Sequence, residues 1–156
     1  ECPDHPGICR HTAREKHSAV WSGSRMIVWG GINAGVETNT GAAYDPGTNT
    51  WTPLSTTLAP PARSQHSAVW TGSMMVVWGG QAGTAYLSTG GIYDPAQDCW
   101  QATATSAAPE GRTLHTAVWS GSEMIIWGGM NAGSVLLNSG GRERMYYPIF
   151  LPIATR

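Results

Sequence analysis

Charge is what this sequence has least of. Only 12% of its 156 residues are Asp, Glu, Lys or Arg, about half the ~25% usual in globular chains. Lys16 is the single lysine, the net charge is −1, and no cluster of basic residues occurs. A nucleic-acid binder needs a concentrated positive footprint, so no nucleic-acid partner is expected. No uninterrupted apolar run approaches the ~18 residues of a membrane-crossing helix, so no membrane partner is expected either. Catalytic signatures are also missing. There is no Gly-x-Ser-x-Gly elbow, no phosphate-binding loop and no His-Glu-x-x-His, and no cofactor is expected. Cysteine is scarce and odd in number: Cys2 and Cys9 lie close together and Cys99 lies far away. The spacing allows but does not require a Cys2 to Cys9 bridge, and a secreted or periplasmic compartment is slightly favoured over a cytoplasmic one. Glu1 is not an initiator Met, so a trimmed chain is expected.

What the sequence has in abundance is glycine and tryptophan, 20 and 8 residues, within a 41% apolar composition. Such a chain turns often and hides much of its length between layers. The organisation is an internal repeat with a period of 49. Arg14, Arg63 and Arg112 obey it, as do His17, His66 and His115. Trp21, Trp70 and Trp119 follow, then Met26, Met75 and Met124, then Trp29, Trp78 and Trp127. The pairs Gly30-Gly31, Gly79-Gly80 and Gly128-Gly129 keep the same step, and Tyr44-Asp45-Pro46 with Trp51 recurs as Tyr93-Asp94-Pro95 with Trp100.

Within a unit, His17 to Trp21 is a short β-prone run, Ser22-Gly23-Ser24 a tight turn, and Met26 to Trp29 an apolar run ending at two glycines. A polar loop leads to a third strand that stops at Tyr44-Asp45-Pro46, where Asp favours a turn and Pro ends ladder pairing. The fourth strand carries Trp51. The runs 26–29 and 75–78 are continuously apolar rather than alternating, which predicts burial on both faces.

An apolar strand ending in Gly-Gly, a polar loop, then Tyr with Trp seven positions later resembles the kelch repeat, and the opening Arg-x-x-His-x-Ala-Val-Trp resembles its bacterial variety. The resemblance covers about residues 14 to 141. It implies an all-β fold of four-stranded antiparallel propeller blades, one of about six or seven in a ring. The expected division is a diverged tail at 1–13 and three blades at about 14–62, 63–111 and 112–156. The last is irregular: after Gly140-Gly141 no Trp follows, and Tyr146-Tyr147-Pro148 stands as a displaced Tyr-Asp-Pro element with Ile149 to Ile153 as its outer strand. Propellers close with ~4 to 8 blades. Three are expected to complete a six-bladed ring by homodimerisation, unless the chain is a fragment of a longer one.

Candidate sites follow from this layout. The loops 32–40, 81–89 and 130–138 within blades, and 54–62 and 103–111 between them, share one face, which is the expected binding face for a protein or carbohydrate ligand. Arg14, Arg63 and Arg112 should stand at its channel mouth, either gripping an anionic ligand or bonding loop carbonyls. His17, His66 and His115 either converge on a metal or are hydrogen-bonded in the framework. Tyr86 lies in a loop outside the framework and is the candidate for stacking on a sugar. Cys2, His5, Cys9 and His11 form a candidate metal set, against a disulfide or an unstructured tail. The leading expectation is a non-catalytic self-assembling scaffold. The alternatives are a mutarotase-like sugar isomerase with an Arg-lined mouth, which the resemblance alone suggests, and a truncated propeller product with no ligand.

Overall fold

A computed structural model describes residues 12–144. Among them there is no helix, and every pairing of named strands is antiparallel.

The first sheet runs β1 (Ser18–Trp21), β2 (Met26–Trp29), β5 (Gly41–Asp45), β6 (Thr50–Pro53) in spatial order. The second repeats it with β7 (Ser67–Trp70), β8 (Met75–Trp78), β11 (Gly90–Asp94) and β12 (Cys99–Ala102). The third contains β13 (Thr116–Trp119), β14 (Glu123–Trp127) and β15 (Gly140–Arg144). The outer strand expected at Ile149 to Ile153, and the displaced Tyr146-Tyr147-Pro148 element, lie outside the described residues. Strands β1, β7 and β13 lie side by side, so this edge is where the three sheets converge.

The turns are built as the sequence implies. Ser22 N–H bonds Arg25 O at 2.9 Å, Thr71 N–H bonds Met74 O at 2.9 Å, and Ser120 N–H bonds Glu123 O at 3.0 Å. The central Gly23, Gly72 and Gly121 all have φ near +100°, a conformation a β-carbon disfavours. Asp45 Oδ1 accepts from Gly47 N–H at 2.9 Å, and Asp94 Oδ1 from Ala96 N–H at 2.8 Å, which closes the turns after β5 and β11.

The loops 32–40 and 81–89 differ from the sequence expectation. Each folds into a two-residue hairpin, β3 (Ile32–Asn33) with β4 (Val36–Glu37), and β9 (Gln81–Ala82) with β10 (Ala85–Tyr86). Bridges Glu15↔Ile32 and Ser64↔Gln81 tie these hairpins to the chain just before each innermost strand. Paired segments of two residues leave no periodicity for a sequence reading to find.

The core lies between sheets. Ile27, Trp29 and Leu54 meet Met75, Val77, Tyr93 and Trp100 between the first two, while Val69, Val76 and Trp78 meet Met124 and Ile126 between the second and third. Strand β8 is therefore buried at all four positions, as its continuous apolar run predicts. In β14 the burial alternates, with Met124 and Ile126 buried and Ile125 and Trp127 exposed, because no further sheet covers its outer face among the described residues.

At the Gly-Gly pairs the backbone approaches the start of the innermost strand. Gly79 and Gly80 have φ of +74° and +86°, and a Cβ on Gly80 would run into Ser64 O and the His66 backbone. Gly79→Val with Gly80→Val is expected to destabilise the fold by about 1–3 kcal/mol per strained residue before crowding is added. Denaturant unfolding checks this, and a double variant as stable as the parent contradicts it.

Candidate functional site

The end of the molecule where the innermost strands begin carries the long loops. Each repeated arginine enters there and turns back into its own sheet. Arg14 Nη1 donates to Gly30 O at 2.9 Å and Thr40 O at 2.8 Å. Arg63 Nη1 donates to Gly79 O at 3.0 Å and Thr89 O at 2.6 Å, with Nε on Pro61 O at 3.1 Å. Arg112 Nη1 donates to Gly128 O at 2.9 Å and Ser139 O at 2.8 Å, with Nε on Glu110 O at 3.0 Å. Arg63 and Arg112 are buried and Arg14 is half-buried. Each guanidinium thus clamps the Gly-Gly bend to the start of the third strand of its sheet. Burial holds the Arg63 guanidinium pKa down to about 10.

What faces outward at this mouth is the residue between arginine and histidine. Lys16, Gln65 and Leu114 occupy equivalent places with φ of +54°, +56° and +55°, and Gln65 N–H bonds Lys16 O at 3.0 Å. A left-handed conformation costs a non-glycine residue roughly 1–2 kcal/mol, so the framework holds all three side chains against a local penalty. Lys16 and Leu114 are exposed. The framework around them repeats, while they are a cation, an amide and an aliphatic group. Their signal in the sequence was the most chemically varied of the three open positions in the Arg-x-x-His-x-Ala-Val-Trp string. Around them stand the exposed Val36 at the first hairpin and Val135 and Leu136 in the corresponding loop of the third unit. Tyr86, the proposed sugar platform, is half-buried in β10, and its carbonyl packs against Gly111.

The histidines form no metal-holding group among the described residues, although the charges of His115 and His17 reach His66. His66 Nε2 lies 2.8 Å from Ser18 Oγ of the first sheet, and His115 Nε2 lies 2.7 Å from Ser67 Oγ of the second. Each ring also meets a tryptophan of the preceding sheet edge-on, His66 with Trp29 at 5.1 Å and His115 with Trp78 at 5.4 Å. A serine beside an imidazole is the geometry of an activated nucleophile. Here both groups lie between packed sheets, and burial, aided for His66 by the Arg63 charge and for His115 by Arg112, lowers the imidazole pKa to about 3 and about 4. Such imidazoles are weak bases at neutral pH, and the pair serves as a lock between neighbouring sheets. No group of three or more metal-ligating side chains occurs among the described residues. The Cys2, His5, Cys9 and His11 set lies outside them, and Cys99 is a free, half-buried thiol in β12.

A second lock works at the outer strands. Tyr93 hydroxyl donates to Asp98 Oδ1 at 2.7 Å, and the same oxygen accepts Ser55 N–H at 2.8 Å from the preceding linker, while Trp100 Nε1 donates to Ser55 O at 3.0 Å. In the third sheet Glu143 stands in register with Met124, as Tyr93 does with Met75. Its Oε1 accepts Ala104 N–H at 2.9 Å directly. One buried carboxylate replaces the Tyr-Asp relay. At the tight-turn end, a cleft of about 530 Å³ opens between the first and second sheets. It is lined by Ser24, Arg25, Trp70, Tyr93 and Asp98, among others, with Arg25 ion-paired to Asp45 at 3.5 Å.

The lock makes stability pH-dependent. The folded pKa values of His66 and His115 lie below the 6.5 of a free imidazole, so the unfolded chain takes up protons first. Their stabilisation is complete above pH 6.5 and is lost as pH falls toward about 4 for His115 and about 3 for His66. The melting temperature is expected to drop between pH 6.5 and 5, against the opposite contribution of Glu143, whose carboxyl pKa is held above its usual range by burial, and His115→Asn to flatten that slope. A pH-independent parent melting curve in this window contradicts the lock.

The family model described as the KLHDC2/KLHL20/DRC7 Kelch-repeats domain matches residues 5–140. No curated protein matches the chain significantly by sequence.

Proposed function

Since the chain belongs to the kelch-repeat family, whose β-propeller domains generally mediate protein interactions, we propose that it is a non-catalytic scaffold of three blades. In this reading two copies close a six-bladed ring and present the long-loop face to a partner, with a protein ligand favoured over a glycan. The observation that carries it is the contrast between equivalent residues of the second and third blades. Val69, Val76 and Trp78 are 8%, 0% and 0% exposed, whereas Val118, Ile125 and Trp127 are 53%, 43% and 61% exposed. An internal blade face with no neighbour is apolar surface that water disfavours, by roughly 25 cal/mol per Å². A second copy supplies the cover.

The long-loop face supports the recognition half of the reading. Variable side chains there are held by a repeated framework, and the neighbouring Val36 and Leu136 are exposed apolar anchors of the kind that protein interfaces use. A phage-displayed peptide library panned against the chain, alongside a glycan array, tests this. Selected peptides are expected to lose at least tenfold in affinity with Val36→Asp and Leu136→Asp, and to ignore Ser24→Asp at the opposite end. Peptides that respond only to Ser24→Asp would move the site to the tight-turn cleft. Glycan binding with sugar anomer exchange would replace the scaffold reading with an enzyme.

A further inference from the structure

The two sheet-to-sheet contacts inside the chain are copies of one another, and each has an entering and a receiving half. The entering half is a histidine at the start of an innermost strand and a tryptophan at its end. The receiving half is a serine hydroxyl one residue after the previous histidine, a tryptophan edge, and a glycine that leaves room for the ring. A Cβ built on Gly30 would lie 2.6 Å from His66 Cε1, and one built on Gly79 would lie 2.6 Å from His115 Cε1. The glycines are there because the incoming imidazole occupies the place of a side chain.

Among the described residues, the third sheet carries the receiving half with nothing in it. A Cβ on Gly128 would meet nothing nearer than Leu137 O at 3.7 Å. Thr116 keeps the hydroxyl at the place of Ser18 and Ser67 and is exposed, and Trp127 is exposed where Trp29 and Trp78 are covered by a histidine ring. The N–H groups of Gly31 and Gly80 donate to Arg63 O and Arg112 O across the sheet boundary at 2.8 and 2.9 Å, while no acceptor among the described residues reaches Gly129 N–H. The first sheet carries the complementary half. His17 is exposed, and Trp21 is 54% exposed where Trp70 and Trp119 pack into the two cores. Val28 and Ala42 on the same side are already buried, so the open part of this face is the innermost strand itself.

We infer that the slot over Gly128, between the Thr116 hydroxyl and Trp127, receives His17 of a second copy of this chain, with the second copy's Trp21 covering Val118 and Ile125. This rests on the self-assembling reading above and specifies its contact. The internal contacts are the template: the occupant of an identical slot is, twice over, a histidine at this repeat position. In a two-fold pair each copy gives one His17 and receives one, so the contact is made twice.

Sedimentation equilibrium of the intact chain, its His17→Ala and Gly128→Asn variants, and a Thr116→Val variant tests the slot. Asn tolerates a left-handed backbone, so Gly128→Asn fills the slot with little local strain, and Thr116→Val removes only a hydroxyl should either other variant fail to fold. The parent is expected at twice the 16.6 kDa chain mass, and each variant to weaken association on the order of tenfold or more. Circular dichroism should stay unchanged. A parent dimer that all three variants leave intact overturns the slot while sparing self-assembly. A parent that stays at the single-chain mass at tens of micromolar overturns both.

Discussion

Stacking covers both faces of the second sheet of this protein, and the rest of the structure depends on that packing. In the second sheet, Met75 and Val77 face the first sheet while Val76 and Trp78 face the third, and all four are fully buried. The hydrogen-bond ladder holds each sheet together. The stacking determines where sheets stop and which residues can face water. The polar features that looked functional in isolation follow from this constraint. The arginines fix the bend that brings one sheet onto the next, and the histidines bridge the boundary.

Sheet stacking explains why so much of the fold was legible in the sequence. A contact repeated at each boundary demands the same residues at the same interval, so Trp29 and Trp78, or Gly31 and Gly80, reappear 49 positions apart. The strands, the tight turns and the buried central strand could all be read from that register. The small hairpins could not, since two-residue pairings such as Ile32-Asn33 with Val36-Glu37 leave no pattern. Nor could the role of Glu143, which takes over the Tyr93 and Asp98 relay by reaching the Ala104 amide itself after a one-residue shift in register. The repeated histidines were visible, but their serine partners sit 48 residues away on the neighbouring sheet, and a linear reading cannot show that juxtaposition.

In the proposed reading, recognition falls to what the framework does not repeat. Lys16, Gln65 and Leu114 share a strained backbone and differ in chemistry, which is how a repeat scaffold varies a surface without disturbing its core. The long-loop end joins these positions to small hairpins, whose bridges to Glu15 and Ser64 fix them relative to the mouth. The tight-turn end offers a cleft, yet it is walled by Tyr93 and Asp98, which already serve the contact between sheets.

One sheet-to-sheet contact is made twice inside the chain, and the proposed pairing makes it again between chains. Amide hydrogen exchange at Gly31, Gly80 and Gly129, followed as a function of protein concentration, reads that pairing out. Gly31 and Gly80 donate across internal boundaries and should be protected at every concentration, with Gly129 becoming protected as the chain associates. Gly129 exchanging at one fast rate across the whole concentration range would contradict the account.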